Sequence, residues 1–395
     1  MIGSVRRLIG RSVPVFPSRF RGASGSPAGA RRPVPEEKSM LKYLIVGSGY
    51  RAEYFGRVAK SYPALFRAMF LCRSEEKKAL MTARTGIPAS TDEKECLAFR
   101  PDFAVIAVDR GHMAQTVAEW VGKGLPVVAE TPLGETEDQL CRLWELGQRG
   151  AKIVSCEQYP RQPLLFAGLR AVSEGLIGEP SSLYISLLHD YHAAGLIRRA
   201  LRIPAGEAYT VLGMEQENTA AETDSRQGAI LDGREAPVRR MTALVSFSSG
   251  KTAVYDFCPV QYRSYIRSRH LVVRGTRGEW SDCAVRYLDA SNTPKTLFLL
   301  PDLAEEYRCL DTQALRDRRR NWQPDLAPDT VQDELAIASM LLDMDSYLQG
   351  GPSPYPLEDA LSDAFFWILL REAAAQPLRP VSSRPMPWMV PAAAR

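Results

Sequence analysis

The sequence predicts an α/β protein. Its first half reads as a doubly wound parallel sheet of the Rossmann type, and its second as an α+β unit with a large, mostly antiparallel open sheet. Three observations carry this. A strand, a Gly-rich turn and a helix follow one another between Leu41 and Lys60. Short apolar runs then alternate with amphipathic stretches as far as Ser155, the rhythm of repeated βα units. Beyond Pro180 the runs become strand-like and are bounded by Gly, Pro and charge. The 395 residues, 45% hydrophobic and 24% charged, suffice for two or three domains and a large core. That composition excludes collagen-like, wholly disordered and disulfide-scaffold classes.

The first unit opens with Tyr43-Leu44-Ile45-Val46 as a strand. Gly47-Ser48-Gly49-Tyr50-Arg51-Ala52 is the turn, and Glu53 to Lys60 the helix. The spacing is G-x-G-x-x-A. Gly47 allows the tight turn, Gly49 lets a pyrophosphate approach the backbone, and Ala52 keeps the helix close to the sheet. The loop residues Ser48, Tyr50 and Arg51 are assigned to cofactor binding with the two glycines. The second strand, Ala68 to Cys72, ends in Arg73-Ser74 where an NAD site places an acid for the ribose 2′-hydroxyl. A guanidinium pairs instead with a 2′-phosphate, so this end reads as NADP preference. NAD stays open as the alternative, with Glu75 or Glu76 on the ribose.

The alternation continues with helix Glu75–Thr85, strand Phe103–Val108, helix Met113–Lys123, strand Pro126–Ala129, helix Thr136–Gly147 and strand Ile153–Ser155. Ligands of such sheets lie beyond the carboxyl ends of the strands. Those ends carry Asp109-Arg110, Glu130-Thr131-Pro132 and Glu157-Gln158. Asp109 and Glu130 are therefore assigned to the cofactor, and Glu157 and Gln158 to substrate hydroxyls. In the second half, Leu183–Leu188, Met241–Phe247, Thr252–Phe257 and Leu271–Arg274 read as strands. Phe247-Ser248-Ser249-Gly250-Lys251 reads as a hairpin turn, and Val331–Tyr347 and Leu357–Ala374 as amphipathic helices. The domains expected are 1–39 as a basic disordered tail, 40–160, 161–380, and a short tail over 381–395.

Net charge is +4, but residues 1–38 hold seven Arg, one Lys and two Glu, a net of +6 that leaves −2 for the rest. A near-neutral body argues against nucleic acid as a partner. The RDRRR run at Arg316–Arg320 reads as a solvated face, with a phosphate patch as the alternative. Residues 1–35 contain no acid. They fit a disordered tail or a translated extension before a start at Met40, and the same features describe an organellar transit peptide. A cytoplasmic protein is the expectation, with import through the tail kept open. No apolar run approaches the roughly 18–20 residues of a membrane span, so no membrane partner is expected. The seven Cys include no CxxC pair and there are four His, which points to free thiols and no metal.

Several of these strings resemble the Gfo/Idh/MocA family of oxidoreductases: LIVGSGYRA, PDFAVIAVDRGHMAQTVAEWVGKGLPVVAETPL, QYPRQPLLFAGLRAVSEGLIGEPSSLYIS, LVVRGTRGEW and YPLEDALSDAFFWILLREAA. They span Leu41 to Pro380. The resemblance implies hydride transfer between NAD or NADP and a small polar carbonyl, hydroxyl or imine compound. It also implies dimers or tetramers paired through the open sheet. This chain departs from the pattern at two points. The family's Glu-Lys-Pro is here Glu130-Thr131-Pro132, and Thr131 has no charge to lend to proton transfer. The family's substrate-side His falls in a compressed segment, His189-Asp190-Tyr191-His192, after a strand. With alternate residues on one side, Asp190 would orient the His192 imidazole for acid–base work. Tyr191 or His189 is the alternate acid–base group, His189 is also a substrate contact, and Thr131 is a hydrogen-bonding partner of substrate or carboxamide. A non-catalytic dinucleotide sensor that keeps the fold is the competing reading.

Overall fold

The computed structural model describes residues 40–225, 228–299 and 328–389, with residues 328–331 described by backbone alone. The basic tail, the RDRRR run, Cys309 of the seven cysteines and the last residues of the C-terminal tail lie outside the described residues.

The first sheet is parallel throughout. Its strands are β1 (Leu41–Val46), β2 (Phe66–Leu71), β3 (Ala89–Ser90), β4 (Phe103–Ile106), β5 (Val127–Ala129) and β6 (Ile153–Ser155). Their spatial order is β3-β2-β1-β4-β5-β6. The crossovers run through α1 (Tyr50–Ser61), α2 (Glu75–Thr85), α3 (Glu93–Ala98), α4 (Arg110–Gly122) and α5 (Glu137–Gln148). Strand β1 pairs with β2 on one side and β4 on the other, so the order reverses there and opens a crevice at the strands' carboxyl ends. Both faces are covered, and β1 and β4 are almost wholly buried apolar residues.

Helix α6 (Pro163–Ser173) leads to a second sheet. Its nine strands run in the order β16-β15-β14-β13-β7-β12-β11-β8-β17. They comprise β7 (Pro180–Ser186), β8 (Tyr209–Ala221), β11 (Glu235–Phe247), β12 (Thr252–Phe257), β13 (His270–Gly275), β14 (Gly278–Ser281), β15 (Ala284–Leu288), β16 (Pro294–Phe298) and β17 (Val381–Ser382). A short ribbon of β9 (Asp224–Ser225) and β10 (Gly228–Ala229) stands apart. All neighbours are antiparallel except β7 and β12. Helices α7 (Asp190–Leu201) and α9 (Leu357–Ala375) cover one face, and α8 (Pro328–Leu348) lies against α1. Trp280 fills the space beneath Gly168 of α6, where a Cβ would meet its ring at 2.1 Å.

The fold class is as expected. The strands β3, β8, β9, β10, β14, β15, β16 and β17 are not among those the sequence predicts, and all but β8 are five residues or fewer. Helix α7 starts at Asp190, inside the segment expected to place alternate residues on one side. Its N-cap is His189, and Asp190 adopts φ 46°.

Candidate functional site

The crevice begins at the first turn. Gly47 holds φ +133°, and a Cβ there would lie 2.2 Å from the Ala107 carbonyl oxygen of the neighbouring strand end. Gly49 is different: a Cβ built on it meets nothing within 4 Å. It is the N-cap of α1, and no side chain caps that end. The result is open space before a helix N-terminus, the electrostatic setting for a phosphate. Beside it, Tyr50 meets Tyr54 through their hydroxyls at 2.5 Å. At the end of β2, Arg73 is exposed, and Ser74 Oγ accepts the Lys77 amide to cap α2. Asp109, at the end of β4, accepts from His112 at 2.7 Å. That bond, with help from Arg73, holds the Asp109 carboxyl below the usual range. The residues present therefore fit a dinucleotide: a backbone cradle with room for pyrophosphate, and a guanidinium one strand over.

Arg51 turns away from this cradle. Its guanidinium grips Glu130 through two bonds of 3.0 Å and reaches Asp333 of α8 at 3.1 Å. Gln162 donates to the same Asp333 at 2.7 Å. Glu130 is 6% exposed, and burial pushes its carboxyl up despite Arg51. Arg51 and Glu130 thus tie α1, β5 and α8 together, and neither is presented outward.

The second part of the site is the turn after β7. His192 Nδ1 lies 2.6 Å from Glu157 Oε2, and both residues are buried. Burial raises Glu157 to about 8 and lowers His192 to about 3. Burial thus favours the uncharged form of each group. Glu157 Oε1 also accepts the Tyr159 amide at 3.2 Å, and the Tyr159 ring stands edge-on to His192 at 4.6 Å. Among the described residues no hydrogen bond engages His192 Nε2. His189 sits between two phenols: its Nδ1 is 2.6 Å from the Tyr262 hydroxyl and its Nε2 3.3 Å from that of Tyr191. Burial holds it neutral. Gln158 is 3% exposed, and its Oε1 has no hydrogen-bond partner.

The expected pairing of Asp190 with His192 is not found. The segment is the first turn of a helix, where residues two apart point to different sides. Asp190 instead faces Trp367, Arg110 and Arg371, and burial raises its carboxyl. Glu157, read as a substrate contact, is the group bonded to His192. Thr131 lies half-buried directly after Glu130. Sequence reasoning missed Asp333 and Trp367 altogether. Both stand on C-terminal helices far along the chain, and neither carries a local signal. Among the described residues no group of His, Cys, Asp and Glu could hold a metal ion, and the six described cysteines are free.

No family model matches the chain, and no curated protein matches it in sequence. Solved structures do. An NAD-binding oxidoreductase from Klebsiella pneumoniae superposes with a TM-score of 0.64 at 15% identity, over 87% of this chain and 99% of the other. The two chains share a fold. Levoglucosan dehydrogenase in complex with NADH and levoglucosan gives a TM-score of 0.62 at 15% identity, over 87% and 99%. GenD2 from gentamicin A biosynthesis, in complex with NAD, gives 0.60 at 16%, over 92% and 100%.

Proposed function

We propose that this chain is a nicotinamide-dinucleotide-dependent oxidoreductase of the Gfo/Idh/MocA type. Its substrate is a small polar compound with a carbonyl, hydroxyl or imine, and it prefers NADP. The observation that carries this reading is the unfilled space at Gly49 before an uncapped helix, at the point where the strand order reverses. The levoglucosan dehydrogenase and GenD2 likenesses support it at the level of fold.

Gly47, Ser48 and Gly49 would hold the pyrophosphate with the amides opening α1, with Tyr50 and Asp109 flanking it. Arg73, with the Ser74 hydroxyl, would meet the 2′-phosphate. The bound nicotinamide supplies or accepts the hydride. The protein handles the proton. His192 Nε2 faces the reacting oxygen or nitrogen, and Glu157 fixes the ring and its tautomer from Nδ1. Glu157, 2.6 Å from Nδ1, would stand as the carboxylate partner of an imidazolium formed at His192. Tyr191 and His189 form a second hydrogen-bonded couple alongside. Gln158 Oε1 is an acceptor for a substrate hydroxyl, and Thr131 a further hydrogen-bonding group.

One observation favours the sensor reading. Thr131 occupies the position where the family carries lysine, and a missing acid–base group costs about 10²–10⁴ in rate. Two measurements decide. Fluorescence titration should show NADPH binding more tightly than NADH, with Arg73→Ala erasing the difference. If neither binds at micromolar concentration, the reading fails. Hydride transfer from NADPH to some member of a carbonyl and imine panel separates enzyme from sensor.

A further inference from the structure

Arg110 and Arg371 are cations beside the site that the account above leaves without work. Arg110 begins α4 at the end of β4, next to the dinucleotide crevice. Its guanidinium lies 5.8 Å from the centroid of Tyr191 and 5.8 Å from that of Trp367. Arg371, one turn further along α9 than Trp367, lies 4.8 Å from the same indole. Among the described residues neither forms an ion pair, and both are exposed. Rings hold them where a carboxylate would ordinarily do so.

The surrounding charges do not balance them. Asp190 is the carboxylate facing both, and it is occupied by the Trp367 indole and driven upward by burial. Glu215, which also faces Asp190, is 3.5 Å from Arg239. Asp109 is bonded to His112. At least one positive charge is therefore left over. It stands close to the proton-handling group: the Tyr191 ring that Arg110 overlies is 4.5 Å from the His192 ring.

We infer that the substrate is an anion, a small polyhydroxy or oxo compound bearing a carboxylate or phosphate, and that Arg110, assisted by Arg371, is the group that selects it. The inference rests on the oxidoreductase reading for its reacting carbon, but its test needs no turnover. A guanidinium presented from a ring face is held in place without being neutralised, and it keeps its donors for a carboxylate or phosphate fork.

The test is calorimetry on the full chain saturated with NADP. The probes are gluconate, glucuronate, glycerate and 6-phosphogluconate, each set against its neutral counterpart: glucitol, glucose, glycerol or glucitol again. At least one acid should bind about tenfold or more tightly than its neutral partner, as expected for a charge-assisted pair. In Arg110→Met the acid should lose that advantage, and in Arg371→Met part of it, while NADP affinity stays the same. Neutral partners binding as well as the acids, or no acid binding at all, would overturn the inference. So would Arg110→Met weakening NADP, which would assign Arg110 to the cofactor. Failure of NADP itself to bind would be seen first, and it would sink the oxidoreductase reading instead.

Discussion

Gly47 and Gly49 stand two residues apart and answer to different demands. At Gly47 the backbone is left-handed and the Ala107 carbonyl occupies the side-chain position, so the fold itself requires glycine. Gly47→Ala should cost roughly 1–3 kcal/mol or more in a urea melt. At Gly49 φ is −88° and the space is free, so the protein alone would accept a larger residue. Aspartate would even cap α1. Gly49→Asp should therefore keep its stability within about 0.5 kcal/mol yet bind NADPH at least about tenfold more weakly, because the carboxylate fills and charges the cradle. A variant that loses both together would show that the cradle is structural. The Glu157–His192 pair makes its own statement about pH. Glu157 is raised from 4.5 to about 8, so the folded state binds its proton more tightly and stability falls as pH rises across that interval. His192 is lowered from 6.5 to about 3, so its contribution rises with pH up to 6.5. The two slopes cancel between 4.5 and 6.5, and Glu157 alone acts from 6.5 to 8. Relative to Glu157→Gln, the natural protein should lose roughly 1–2 kcal/mol between those last two values. Parallel stability curves for the two would remove the raised carboxyl from the argument.

Helix α7 joins the site to the body of the protein. Its first turn carries the His cluster, and two turns later Arg198 plunges between α7 and α9. There it donates to Asp363 at 2.6 Å and to Asp359 at 2.7 Å, with the Tyr355 hydroxyl on the other Asp363 oxygen. Arg198 and Asp363 are each 5% exposed. Taking one partner out of such a pair strands the other charge. Arg198→Met should cost about 3–5 kcal/mol, and adding Asp363→Leu should recover most of it, as measured by denaturant unfolding. If the double variant is no better than the single, the network acts through geometry and not charge. The same helix shows what the sequence could and could not reveal. The elements of the first half were legible because each strand is a run of buried apolar residues closed by a turn signal. Glu75–Thr85, Ile153–Ser155 and Thr252–Phe257 were read to the residue. The His cluster was found because half the chain's histidines fall within it. Its wiring was not legible. Glu157 lies 35 residues from His192, and Asp333 lies 282 from Arg51. Such partnerships are set by how helices cross, which no local pattern encodes. The helix start at Asp190 was missed for the same reason that its pairing was: a polar run of four residues has no periodicity to distinguish a strand end from a helical turn.

At the scale of the whole molecule, the open face of the nine-stranded sheet is the feature left to explain. Helices α7 and α9 cover one side. On the other, register brings a row of apolar residues into line across five strands: Leu212 opposite Leu244, Leu244 opposite Val254, Val254 opposite Tyr184, and Tyr184 opposite Val272. Leu244, second in the row, is 49% exposed, and the other four are half-buried. Alternation along a strand with one solvated face should place polar groups in this row. The family resemblance assigns the face to a second copy of the chain, and a two-fold axis through the row would bring the same residues together from both copies. Leu244→Asp sets a carboxylate at the most exposed point of that row, where two copies would bury four like-charged oxygens without a partner. Light scattering coupled to size exclusion should show the natural protein as a dimer or tetramer and Leu244→Asp as the next smaller species, with its melting temperature concentration-independent. A monomer in both would leave the row solvated and place the oligomer elsewhere or nowhere.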